Sequence, residues 1–150
     1  MNSAFIARGE LGPQYPTRKI YIVDSLCASG GEGLLLEKAV EKQAGGASLE
    51  ECRDYAEELK LRINHWYTVA ELSYLRRGGR VSATSAIVAD ILNIKPVMDM
   101  NDEGRLIPRE KAKGRKGAIR RMFEHLCERA DMSENSYFRI THADCMDDAL

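Results

Sequence analysis

Apolar and polar residues along this chain change period several times, and each change marks an element. Met1 to Glu10 reads as the tail of a helix that lacks its beginning, and Pro13 and Pro16 end it. Lys19 to Asp24 is a compact, nearly continuous apolar run, which predicts a parallel strand buried on both faces. Ser25 to Gly33 is a loop of small residues, Leu34 to Gln43 is helical, and Gly45-Gly46 stops that helix. Ser48-Leu49-Glu50-Glu51 is a capping box, in which Ser48 caps the third helical N–H and Glu51 reaches back. The helix behind it sets Leu49, Cys52, Ala56, Leu59 and Ile63 on one stripe.

His65 to Ala70 predicts another strand, and Glu71 to Arg76 a short helix. Ser82 to Leu92 predicts a helix rich in small residues. Ile94 to Met100 and Arg105 to Arg109 flank Asn101-Asp102-Glu103-Gly104, the pattern of a hairpin with a longer loop. Arg115 to Ala130 is a helix with Ala118, Ile119, Met122, Leu126 and Ala130 facing inward. Tyr137 to Thr141 predicts a last strand, and Asp144 to Leu150 begins a helix that the chain does not finish. The alternation gives an α/β protein, a mixed sheet with helices on its faces. The open helix at each end suggests a piece of a longer protein.

Composition narrows the function classes. The chain has 150 residues, 44% hydrophobic and 30% charged, which suits one soluble domain of ordinary size. A net charge of −1 argues against a general nucleic-acid binder. That total hides an uneven distribution: Arg105 to Arg121 holds eight Lys or Arg and one acid, Glu110. No apolar run reaches the roughly 20 residues that span a bilayer, so stable membrane insertion is not expected. Cys27, Cys52, Cys127 and Cys145 are spread without a C-x-x-C pair. They read as reduced thiols of a cytoplasmic protein, and no metal site is expected.

The chemistry concentrates at Leu75-Arg76-Arg77-Gly78-Gly79-Arg80-Val81-Ser82. Guanidinium forks match the paired oxygens of carboxylates and phosphates. The glycines permit a tight bend, and Ser82 caps a new helix whose first N–H groups attract anions. Two readings stand: a grip for an oxyanion, or a basic loop on a solvated face. His142-Ala143-Asp144-Cys145 fits no metal or protease signature, and no catalytic residue is expected.

Several stretches together resemble the DegV family of bacterial fatty-acid-binding proteins. They are Val23-Asp24-Ser25-Leu26-Cys27-Ala28-Ser29 with Gly33, Leu72 to Ser82, Leu92-Asn93-Ile94-Lys95-Pro96-Val97, Gly104 to Gly117, and Thr141-His142-Ala143-Asp144-Cys145. The most specific block runs from Leu72 to Pro96. The resemblance implies a two-lobed α/β carrier that encloses a fatty acid between its lobes. It also implies a partner, a fatty-acid kinase, that phosphorylates the bound carboxylate. Residues 1–68 would then be a remnant of the first lobe, and 69–150 the second lobe, C-terminally truncated. Arg80 corresponds to the family's arginine near the carboxylate, and Lys111 to Lys116 to the basic segment implicated in kinase docking. Ala70 replaces an acid that is usual in the family, and Lys113 replaces an arginine, which keeps the charge but loses the fork. The family's hydroxyl-rich head-group motifs, a Thr-Ser pair and a Ser-Ser-Gly segment, are not present in this sequence.

On that reading Arg80 and the N–H groups after Ser82 hold the head group. Ile87, Ile91, Leu92, Ile94, Val97 and Met98 supply one wall for the tail; plain core is the other reading of each. Lys111, Lys113, Arg115 and Lys116 meet an acidic partner surface or, alternatively, form a solvated helix N-terminus. Two other function classes fit parts of the sequence. A phosphoryl-transfer or phosphosugar enzyme domain could hold phosphate with the arginine-glycine loop, but no G-x-x-x-x-G-K-[ST] loop is present. A nucleic-acid module on Arg105 to Arg121 lacks interleaved aromatics. The apolar surface facing the other lobe would favour self-association of this chain alone.

Overall fold

The computed structural model describes residues 2–80, 93–131 and 137–150. The first helix, α1 (Asn2–Leu11), passes into a 3-10 turn at Gly12–Gln14, where Pro13 ends it as expected. Then come α2 (Gly30–Ala44), α3 (Leu49–Leu59) and a second 3-10 turn at Lys60–Arg62. Strand β1 (Trp66–Tyr67) and helix α4 (Leu72–Arg77) precede the hairpin of β2 (Ile94–Met100) and β3 (Leu106–Lys113). Helices α5 (Gly114–Arg129) and α6 (Met146–Ala149) complete the order.

The capping box forms as written: the Glu51 N–H donates to Ser48 Oγ at 3.2 Å, and the Ser48 N–H donates to Glu51 Oε2 at 2.7 Å. Helix α3 packs on α2, with Leu35 and Ala56 buried. Ile63 falls beyond the helix, after the 3-10 turn. Helix α2 runs longer than the sequence predicts because Gly30 and Gly31 join it. A side chain at Gly30 would meet Thr141, and one at Gly31 would strike the His65 ring, so both glycines allow close packing.

The described strands form one sheet in the order β1-β2-β3, and both pairings are antiparallel. In the hairpin loop, Asn101 Oδ1 accepts the Arg105 N–H at 2.8 Å and Gly104 takes φ = +71°. Helix α5 covers one sheet face. Val97, Ala112 and Ala118 form the core there, with Trp66 and Met122 packed against it.

Two expected strands do not form. Lys19 to Asp24 is not in a sheet. No partner strand lies beside it among the described residues, and side chains hold it to α3 instead. Lys19 Nζ and Tyr21 Oη both donate to Glu50 Oε1, and the Arg53 guanidinium lies over the Tyr21 ring at 4.5 Å. Those donors hold the Glu50 carboxyl down to about 2. Tyr137 to Thr141 also stays outside the sheet. It is held to α2 by Tyr137 Oη and Arg139, both bonded to Glu37, and by Thr141 against Gly30. His65 to Ala70 shrinks to the two residues of β1. The described sheet is therefore antiparallel, where the apolar run at Lys19 to Asp24 had pointed to a parallel partner.

Candidate functional site

The arginine-glycine bend is the C-terminal cap of α4. The Arg80 N–H bonds back to the Leu75 carbonyl and the Gly79 N–H to Arg76, both at 2.9 Å. This is a Schellman motif, which needs a left-handed residue, and Gly79 supplies it with φ = +69°. Arg80 is exposed, and its Nη1 donates to the Gly78 carbonyl at 2.5 Å. The fork is folded over its own bend. Arg77 lies over the Tyr74 ring at 4.6 Å. Ser82, Ile87 and Ile91, expected beside Arg80, lie outside the described residues, as does Leu92.

Ile94 is half-buried at the start of β2, directly opposite Lys113, and Pro96 lies opposite Lys111. Directly opposed residues share a sheet face. The expected tail-wall residue Ile94 and the expected docking lysines therefore meet on the face turned away from α5. Met98 continues that face, fully buried, with Tyr67 opposite it. The Tyr67 hydroxyl is buried without a hydrogen-bond partner among the described residues, and burial pushes its pKa up. Val97 is corrected: it points to α5 and is plain core, because side chains alternate along a strand.

Lys111 and Lys113 lie on β3, and Lys113 is also the N-cap of α5, so the segment does run into a helix N-terminus. Both are exposed, as is Lys116, and none has an ion-pair partner among the described residues. Arg115 differs: its Nε donates to Asp148 Oδ2 at 2.8 Å and its Nη2 to Cys145 Sγ at 3.6 Å. It ties the C-terminal segment to α5.

No group of acids, His and Cys suited to a metal occurs among the described residues. His142 and Cys145 do not form a nucleophile pair, since His142 Nδ1 accepts the backbone N–H of Cys145 and the thiol meets Arg115. His125 stacks on Trp66 with centroids 4.1 Å apart. Its ring nitrogens lie 2.8 Å from Glu110 and 3.0 Å from Glu128. Glu110 also receives two N–H groups of Arg121. A sequence signal existed for this cluster: Glu110 is the lone acid in the basic stretch. His65 is pressed against Gly31, and burial lowers its pKa against weaker pulls from Ile63 and Asp99.

In the loop before α2, Asp24 Oδ1 accepts the Leu26 N–H and Ser25 Oγ the Cys27 N–H, both at 3.3 Å. These oxygens serve the turn. Leu26 and Ser29 have positive φ, and Ser29 combines φ = +48° with ψ = −117°, a region nearly reserved for glycine.

Comparison with known proteins sets this arrangement in context. The family model described as uncharacterised protein of the DegV family matches residues 1–150. A DegV domain-containing protein of Clostridium perfringens is 40% identical over 99% of this chain and 51% of its own length. One from Lactococcus lactis is 37% identical over 86% of this chain and 45% of its length. The chain thus spans about half the length of the curated relatives it matches. Among solved structures, a DegV-family protein of Ruminococcus gnavus with vaccenic acid has a TM-score of 0.89 at 28% identity, covering 99% of this chain and 52% of that one. The Streptococcus pneumoniae Fatty Acid Kinase (Fak) B3 protein loaded with linoleic acid has a TM-score of 0.77 at 29% identity, covering 85% and 45%. With its whole length matched by the family model and its fold shared with these proteins, the chain belongs to the DegV family.

Proposed function

We propose that this chain is part of a cytoplasmic fatty-acid carrier, itself without phosphoryl-transfer chemistry, that presents the acyl carboxylate to a partner fatty-acid kinase. The observation that carries the reading is the shared fold, over 99% of the chain, with a relative that holds vaccenic acid. The division into units at residue 68 belongs to the same proposal. Helices α2 and α3 pack on one another before it, and the hairpin with α5 follows it. Strand β1 lies just before that boundary and pairs forward onto β2.

For the tail the reading relies on Ile94, half-buried at the start of β2, since Pro96 and Met98 on the same face are already buried. Each buried methylene contributes about 0.8 kcal/mol, so a long chain gains roughly 10 kcal/mol. The carboxylate needs donors, because burying it without them is expensive. Arg80 and the N–H groups after Ser82 are proposed for that task, and Ile87, Ile91 and Ile94 for the tail. Lys111, Lys113 and Lys116 offer three ammonium groups to an acidic partner surface. Arg115, the fourth basic residue of that segment, is already paired with Asp148.

Native mass spectrometry of the full-length protein purified from bacterial cells tests the carrier. Acyl chains that co-purify and are released on unfolding are expected. A ligand-free protein that takes up no fatty acid overturns the reading. Arg80→Ala in the full-length protein is expected to speed acyl release with the fold intact, and an unchanged off-rate removes Arg80 from the site.

A further inference from the structure

We propose that Asp99 is a positioning residue for the basic face: it grips Arg109, the extra residue of a β-bulge, and thereby turns Lys111 and Lys113 away from α5. Its purpose rests on the docking reading above; its geometry does not. Strands β2 and β3 pair regularly from Met100↔Leu106 to Met98↔Pro108, and again from Val97↔Glu110 to Ile94↔Lys113. Arg109 lies between the two runs with no partner residue. One inserted residue reverses the facing of every residue that follows. In an unbulged ladder Arg109 would oppose Val97, Lys111 would oppose Lys95, and Ala112 would oppose Ile94. Lys111 would then point at α5, where Ala112 now packs in the core.

The side chains show what holds the extra residue in place. Asp99 is 1% exposed, and its Oδ1 accepts Arg109 Nε at 2.9 Å. Its other oxygen has no hydrogen bond among the described residues, with Arg129 Nη1 of α5 lying 3.8 Å away. The next residue, Glu110, bonds Arg121 on the same helix. Two consecutive residues thus send their side chains to the helix side, which a regular strand cannot do. A buried acid on β2 and a helix arginine hold the strand in the one register that leaves the lysines outside.

The test is a lysine footprint of the full-length protein, using N-hydroxysuccinimidyl acetate with site assignment by mass spectrometry. In Asp99→Asn and in Arg109→Met, labelling of Lys111 and Lys113 is expected to slow at least fivefold, with Lys116 unchanged. Deleting residue 109 from Asp99→Asn removes the bulge but keeps Glu110 opposite Val97, so it is expected to restore both rates. Unchanged footprints in the folded single variants, or no restoration by the deletion, overturn the proposal. Should Asp99→Asn fail to fold, Arg109→Met and the deletion in the otherwise unaltered protein decide by the same readings. The footprint needs no kinase, so a failure of the docking reading leaves it unchanged.

Discussion

Gly79 and His65 carry two different kinds of cost. Gly79 sits in the left-handed region with open space around it, so Gly79→Ala meets only backbone strain. The expected loss is about 1 kcal/mol, read as a lower urea midpoint with an unchanged slope. His65 carries a desolvation cost. Burial holds its imidazole below the ordinary 6.5, so the unfolded chain binds this proton more readily than the folded one. Its share of stability is full above about pH 6.5 and is lost as pH falls below that value. Urea midpoints at pH 7.5 and 5.5 are expected to differ more in the unaltered protein than in His65→Gln. The sequence could mark the glycine, because a helix followed by Gly-Gly is a known stop. It could not mark the histidine, whose environment comes from Gly31, far away in the chain.

At the scale of elements, local chemistry was legible and partnership was not. The capping box of α3 is written in four adjacent residues and formed as read. Ser48→Ala is expected to cost about 1 kcal/mol by thermal or urea unfolding. The hairpin, too, was legible, from two apolar runs around Asn101 to Gly104. Lys19 to Asp24 and Tyr137 to Thr141 have strand-like composition, yet pairing depends on what lies alongside, and the alternation of polar and apolar residues does not encode that. The bulge escaped for a related reason, since a period of two reads equally well in either register until the partner is known. Helix α5 shows a conflict of interests. Arg115 and Lys116 stand in its first turn, at the positive end of the helix dipole. Lys116→Glu is expected to stabilise the fold by about 0.5 kcal/mol while slowing association with an acidic partner. A variant that neither gains stability nor binds more slowly would place Lys116 outside the docking surface.

For the whole molecule, the family and α/β class were within reach of the sequence because its motifs keep their order over nearly the full chain. The site was legible only in part. Arg80, Ile94 and the lysines could be singled out as residues, but that Ile94 shares a sheet face with Lys111 and Lys113 emerges only from the register of β2 on β3. Among the described residues no helix is long and apolar enough to cross a membrane. Phe5 and Ile6 of α1 and Leu36 and Val40 of α2 are each more than half exposed. Residues 1–150 alone are therefore expected to self-associate as concentration rises, with sedimentation velocity as the check.

Trp66 is the single indole of the chain, and two residues of α5 lie against it: the stacked ring of His125 and the guanidinium of Arg129, 5.1 Å from the ring. Such neighbours govern how an excited indole loses its energy. The molecule therefore contains its own optical gauge, seated where strand and helix meet, and emission recorded as fatty acid is added to the full-length protein would report any shift of α5 without an attached dye.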